Sequence, residues 1–232
     1  MEEKTAILID GGFYRKRAHA LFGPKSAEFR ADELARYCSL HIKDESGNKR
    51  NLYRIFYYDC PPLDITLFHP LLGNVDLKRN ETFVWTNTFF QALLKKRKFA
   101  LRLGRLATTG NGYRLDPDAV KRLCAKKITV DELTEKDFTL ETRQKGVDMR
   151  VGIDIAHLAH KKLVTQIILI AGDSDFVPAA KLARREGIDF IIDPMKSHIA
   201  NDLLEHVDGL YSHWNDKRVC TIPPESPTQA VY

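Results

Sequence analysis

At 232 residues, 44% of them hydrophobic, and with a net charge of +5, the chain can bury one substantial core and still be a single domain with insertions, since such domains reach about 250 residues. No stretch approaches the roughly 18 apolar residues that span a bilayer, and the start MEEKTAILIDGG lacks a secretory signal's basic and apolar regions, so a cytoplasmic location is expected. Cys38, Cys60, Cys124 and Cys220 form no C-x-x-C pair, which argues against a zinc knuckle or a disulfide scaffold and predicts buried free thiols.

In chain order, TAILID (5–10) predicts a strand and GGFYRKRAHALF (11–22) a turn entering a helix. ADELARYCSLHI (31–42) has helical spacing, with Leu34, Tyr37 and Cys38 on one stripe. NLYRIFYYD (51–59) is aromatic and β-branched, hence a strand, and Cys60-Pro61-Pro62 ends it. TFVWTNTFFQALLKKRKF (82–99) predicts a helix in its second half, and ALRLGRLATT (100–109) alternates outward Arg102 and Arg105 with apolar neighbours. DPDAVKRLCAKK (116–127) reads as a surface helix and DFTLETRQKG (137–146) as a strand running into a loop. In VDMRVGIDIAHLAHKKL (147–163), Val147, Val151, Ile155, Leu158 and Ala159 recur at three and four, the pattern of an amphipathic helix. QIILIAG is then a strand, DFVPAAKLARREG a helix closed by Gly187, and IDFIID (188–193) a strand, with a helix near 199–206 after it.

This alternation predicts an α/β fold, a doubly wound and mostly parallel sheet with helices on both faces. The domain is expected over residues 1–214, elaborated at about 63–137. The stretch 215–232, with three prolines and little periodic apolar content, is expected to be a flexible tail.

Four aspartates stand in comparable places. Asp10 ends the first apolar strand, Asp173 and Asp175 follow QIILIAG, and Asp148 lies in the first turn of the helix after Lys145-Gly146. In a parallel α/β sheet, strand carboxyl ends and adjoining helix N-termini converge on one rim, where ligands bind. Each acid alone could simply cap a helix or face its dipole; four at convergent ends predict a carboxylate cluster. Asp154, six residues past Asp148, is rotated about 120 degrees off that face. Crowding carboxylates costs on the order of a few kcal/mol per pair at an effective dielectric near 20, which a divalent cation offsets. Oxygen donors without histidine suit Mg²⁺ or Mn²⁺, and such an ion activates water and stabilises a leaving oxygen. The predicted chemistry is phosphodiester hydrolysis.

Together AILIDGG (6–12), RIFYYDCPP (54–62), KGVDMRVGIDIAHLA (145–159) and LIAGDSDFVPAAKLARREG (169–187) resemble the NYN domain proteins of the PIN-like nuclease superfamily. The resemblance is ordered along the chain and spans roughly residues 5–211, loosely in the middle. It implies a PIN-like, Rossmannoid fold whose clustered acids hold Mg²⁺ or Mn²⁺ and cleave RNA. It also implies catalytic and metal-binding roles for Asp10, Asp148, Asp173 and Asp175. Many relatives carry an asparagine shortly after the first-strand acid, where this chain has Phe13.

Substrate contacts are expected nearby. Arg15 and Lys16 lie just past Asp10, Lys145 lies beside the acid site, and Ser174 sits between two acids as a capping hydroxyl open to substrate. Residues 49–105 hold eleven Lys or Arg against four Asp or Glu, a basic zone suited to a polyanion. Within it Lys95, Lys96, Arg97 and Lys98 follow Phe83, Trp85, Phe89 and Phe90, so bases of single-stranded RNA could stack on rings beside charges, although such rings are more often core. His157 and His160 lack a zincin glutamate or cysteine neighbours, so zinc is not expected. A phosphatase of the haloacid dehalogenase type needs a second aspartate two residues past its nucleophile, where Asp10 is followed by Gly11 and Gly12. Two readings remain: a metal-dependent ribonuclease, or a module of the same fold that binds RNA or a protein partner, including a second copy of itself.

Overall fold

The computed structural model describes residues 3–43 and 49–220, with the backbone alone at 109–111 and 220. Its elements run β1 (Lys4–Asp10), α1 (Gly11–Phe22), α2 (Ala27–His41), β2 (Asn51–Asp59), β3 (Thr66–His69), β4 (Gly73–Asp76), α3 (Glu81–Leu94), β5 (Phe99–Leu103) and β6 (Arg105–Leu115). They continue with α4 (Pro117–Cys124), β7 (Phe138–Lys145), α5 (Val147–His160), β8 (Gln166–Ile170), α6 (Val177–Arg185), β9 (Asp189–Asp193), α7 (Asn201–Leu204), β10 (Gly209–Leu210) and α8 (Lys217–Cys220).

The six-stranded sheet has the order β10-β9-β8-β1-β2-β5, with every pair parallel. Strands covered on both faces read as continuous apolar runs, and Thr5 to Ile9 and all of β8 are buried. Alternation within them sorts side chains into two cores. Ala6, Leu8, Phe56, Tyr58, Ile167 and Leu169 meet α5 and α6, whereas Ile7, Ile9, Ile55, Tyr57, Ile168 and Ile170 meet α1, α2 and α3. The stripe predicted on α5 is the buried one, Val147, Val151, Ile155, Leu158 and Ala159, and each large apolar side chain so covered contributes about 1.5–3 kcal/mol. Gly11 is required where β1 turns into α1, because a Cβ there would lie 2.6 Å from the Tyr58 carbonyl oxygen.

The doubly wound fold expected from the alternation is present, with differences at its margins. α3 runs from Glu81 to Leu94, so the stretch 82–99 is helical throughout its first half and only as far as Leu94 in its second, the reverse of the expectation, and it ends by entering β5 at Phe99. The region 66–145 adds two antiparallel ribbons outside the main sheet, β3–β4 and β6–β7, and the second pairs Arg105 with Lys145 across α4. Cys38 and Cys60 are buried thiols as expected, but Cys124 is exposed at the end of α4. Of the stretch read as a tail, Lys217–Cys220 is a helical turn with Val219 in the core; residues 221–232 lie outside the described residues.

Candidate active site

β1 and β8 are neighbours, with Ile9 beside Ile170. The chain turns to one side of them through β2 and β5 and later returns to the other through β9 and β10, so their carboxyl ends open at the point where strand order reverses. Asp10 ends β1 there, and Asp173 follows β8 by three residues. α5 starts beside them at Gly146, a left-handed residue with φ of 77°, which places Asp148 in its first turn. Asp10, Asp148 and Asp173 thereby line one cavity of about 1050 Å³, with Arg15, Lys16, Gln144 and Ser174 among its other walls.

The capping roles are present as well. Asp10 Oδ1 accepts the Phe13 N–H at 3.1 Å, and Asp173 Oδ1 accepts the Asp175 N–H at 3.1 Å, starting the turn Ser174–Phe176. Each carboxylate has a second oxygen, so capping does not use up its donor capacity. Burial pushes the Asp10 carboxyl above its ordinary range against the Phe13 N–H, and the charges of Asp148 and Asp59 add to the rise. Asp148 is likewise raised, by desolvation first and then by the negative charges of Asp173 and Asp175. Asp175 itself is exposed and acts on the cluster through that field rather than as a wall of the cavity.

The acids share a rim without forming a closed cage. Among the described residues no three His, Cys, Asp or Glu side chains converge closely enough to hold an ion by themselves. The donor set still fits a hard divalent cation, because Mg²⁺ binds through one or two carboxylates while keeping several waters. Mutual repulsion that lifts Asp148 is what a cation would relieve.

The profile of the NYN domain matches residues 96–212, just over half of the chain. The chain belongs to the NYN domain family. NYN domains are part of the PIN-like nuclease superfamily, which ties the chain to nuclease-type, RNA-related function. No curated protein and no solved structure matches the chain. Among the described residues no helix is long and apolar enough to cross a membrane.

Within this NYN domain the matched segment carries Asp148, Asp173 and Asp175, and β1 brings Asp10 from outside it. Of the expected substrate contacts, Arg15, Lys16 and Ser174 line the acidic cavity. Lys145 ends β7 next to the cavity but is not one of its walls. Lys95 to Lys98 lie elsewhere. They precede Phe99, the amino end of β5, and the acids sit at the opposite edge of the same parallel sheet. Two of these cations are also engaged structurally, Lys96 with Asp32 and Lys98 with the Leu52 carbonyl. Asp154, turned away from the site as its spacing requires, accepts from the Tyr58 hydroxyl at 2.8 Å and from Arg102 at 2.9 Å.

Sequence reasoning passed over Asp59. It ends β2 beside Asp10, is fully buried, and pairs with Arg15 at 3.0 Å. Its carboxyl also accepts from the Cys60 N–H at 2.8 Å and the Tyr57 hydroxyl at 3.1 Å. The signal was available, since RIFYYD ends in aspartate as AILID does. Gln144 and Ser197, two further cavity walls, come from a ribbon and a loop with no periodic pattern to mark them.

Proposed function

We propose that this NYN domain is a metal-dependent ribonuclease that hydrolyses RNA phosphodiester bonds at the rim formed by Asp10, Asp148, Asp173 and Asp175. The observation that carries the reading is three aspartates from three separate elements lining one cavity that also holds Arg15 and Lys16. Mutual repulsion of this kind is destabilising unless a cation or a proton offsets it. Asp10, Asp148 and Asp173 are the residues that would hold Mg²⁺ or Mn²⁺, with Asp175 reinforcing the negative field. When bound, such an ion offsets the carboxylate charge and stabilises negative charge on the reacting phosphate.

The chain's own residues supply the rest. Lys16 is exposed on α1 within the cavity and can meet a backbone phosphate. Arg15 is held by Asp59, so its guanidinium is fixed rather than free to collapse onto the catalytic acids. The Ser174 hydroxyl and the Gln144 amide add neutral donors that can orient a strand without cancelling the acids. Phe13, where many relatives carry asparagine, gives an apolar wall packed on Gly172, whose Cβ, if present, would lie 2.7 Å from the ring.

Incubating the purified chain with labelled RNA and Mn²⁺ or Mg²⁺ tests the reading. Cleavage is expected, and Asp173→Asn is expected to slow it at least ~100-fold, the scale of losing one electrostatic stabiliser. Equal cleavage by both proteins would remove this site from consideration. The second reading, an RNA-binding module with little turnover, is favoured by the open spacing of the acids. It predicts metal and RNA binding with no strand scission in any divalent ion.

A further inference from the structure

A second cavity adjoins the acidic one. It measures about 330 Å³ and is lined by Arg15, His19, Pro24, Lys25, Arg30 and Trp85, so Arg15 and His19 are walls of both. Among the described residues no carboxylate lines it. Arg30 is buried and paired with Glu33, and Arg15 is paired with Asp59, which leaves Lys16 and Lys25 as the positive charge beside this cavity that no described carboxylate pairs with.

Trp85 sits in it with its ring fixed. It lies one turn before Phe89 on α3 and stacks on that ring at 5.1 Å and 14°, while its indole N–H donates to the Lys25 carbonyl at 3.0 Å. Phe89, Phe90 and Leu93 continue the stripe into the core, where they are buried; Trp85 is only half-buried and lines the cavity with what remains of its surface. An indole held in place loses little freedom when a base packs against it, and base stacking on an aromatic ring contributes about 1–3 kcal/mol.

We propose that this cavity is a subsite for one nucleotide of single-stranded RNA, with Trp85 packing against the base and Lys16 and Lys25 meeting flanking phosphates, while a neighbouring linkage occupies the acidic cavity. The proposal rests on the ribonuclease reading and names how the strand reaches it. A strand so bound follows α1 from Asp10 toward the loop after Phe22. It does not cross to Lys95–Lys98 at the far edge.

The chain has two tryptophans, so Trp214→Phe leaves Trp85 as the single indole emitter. Titrating that variant with a uridine oligomer in EDTA, with binding followed in parallel by anisotropy of a labelled end, reads the subsite without any cleavage. Saturable quenching of Trp85 emission along the same isotherm is expected. Binding by anisotropy with unchanged emission overturns the subsite, and so does the absence of binding. Trp85→Ala is expected to weaken binding about tenfold and Trp85→Phe by much less; equal loss from both variants would mean that the indole only packs. Cleavage of labelled RNA in Mn²⁺ by the unaltered chain reports on the acids separately. Cleavage without Trp85 quenching sinks the subsite alone, and quenching without cleavage sinks the ribonuclease reading alone.

Discussion

Asp59 and Arg15 meet at 3.0 Å, but Asp59 is wholly enclosed while the Arg15 side chain keeps 29% exposure, so losing either partner has an unequal cost. Arg15→Ala leaves a buried carboxylate whose pKa burial already raises and whose main opposing influence is that guanidinium. The expected loss is about 2–3 kcal/mol, toward the low end for breaking a buried pair because one side is wet. Asp59→Asn keeps the shape and frees Arg15 into solvent, so it should cost about 1 kcal/mol. Urea unfolding of both variants checks the order, and an Asp59→Asn cost equal to or above that of Arg15→Ala would contradict it. Asp10 and Asp173 were legible as candidates because both follow apolar runs whose carboxyl ends converge, although each also caps the turn after it. Asp59 has the same signature yet is paired with arginine, and a letter alone does not name a carboxylate's partner.

The parallel sheet was legible element by element, because each strand buried on both faces must be apolar throughout and each covering helix must show a stripe. The two ribbons were not. β6 and β7 pair Arg105 with Lys145 across an intervening helix, and such distant pairing leaves no local turn signal to find. Where β9, α2 and the segment after β10 meet, the Asp193 carboxylate is buried against His41 at 2.8 Å and the Tyr37 hydroxyl at 2.5 Å. His213 packs on His41 at 4.7 Å and is held down to about 4, by burial first and by the His41 charge second, against the opposing pull of Asp193 and Asp216. The folded state therefore keeps this imidazole neutral where the unfolded chain takes up a proton. Stability from it is complete above about 6.5 and is lost as pH falls from there toward about 4. Asp193 acts in a lower window. Burial alone would raise it, but His41, Ser212 and Tyr37 hold it below 3.8. Urea midpoints measured from pH 7 to pH 4 should fall for the natural chain and flatten in His213→Gln. An unchanged slope in that variant would assign the acid sensitivity elsewhere.

Across the whole molecule, charge total and charge placement give different answers. The densest basic run, Lys95–Lys98, was one expected RNA contact by composition, yet it stands at the amino edge of β5 while the acids occupy the carboxyl edge of β1 and β8. Lys95→Ala with Arg97→Ala, two exposed positions, is accordingly expected to change RNA affinity less than twofold at physiological salt, where distant surface charges are screened beyond about 8 Å. Lys16→Ala with Lys25→Ala should weaken it more than the first pair, by filter binding at the same salt; the reverse order would return the strand to the basic run. The β6–β7 ribbon leaves the sheet after Gly104 and ends at Gly146, where α5 begins, and these joints abut, since a Cβ on Gly104 would lie 2.7 Å from the Lys145 carbonyl oxygen. Between them the ribbon carries Gln144 to the cavity wall. An arm attached at adjoining points behaves as a cassette: residues can be added to or taken from its far end with both anchors kept, and the shape offered to an incoming strand would be re-cut while Asp10, Asp148 and Asp173 keep their spacing.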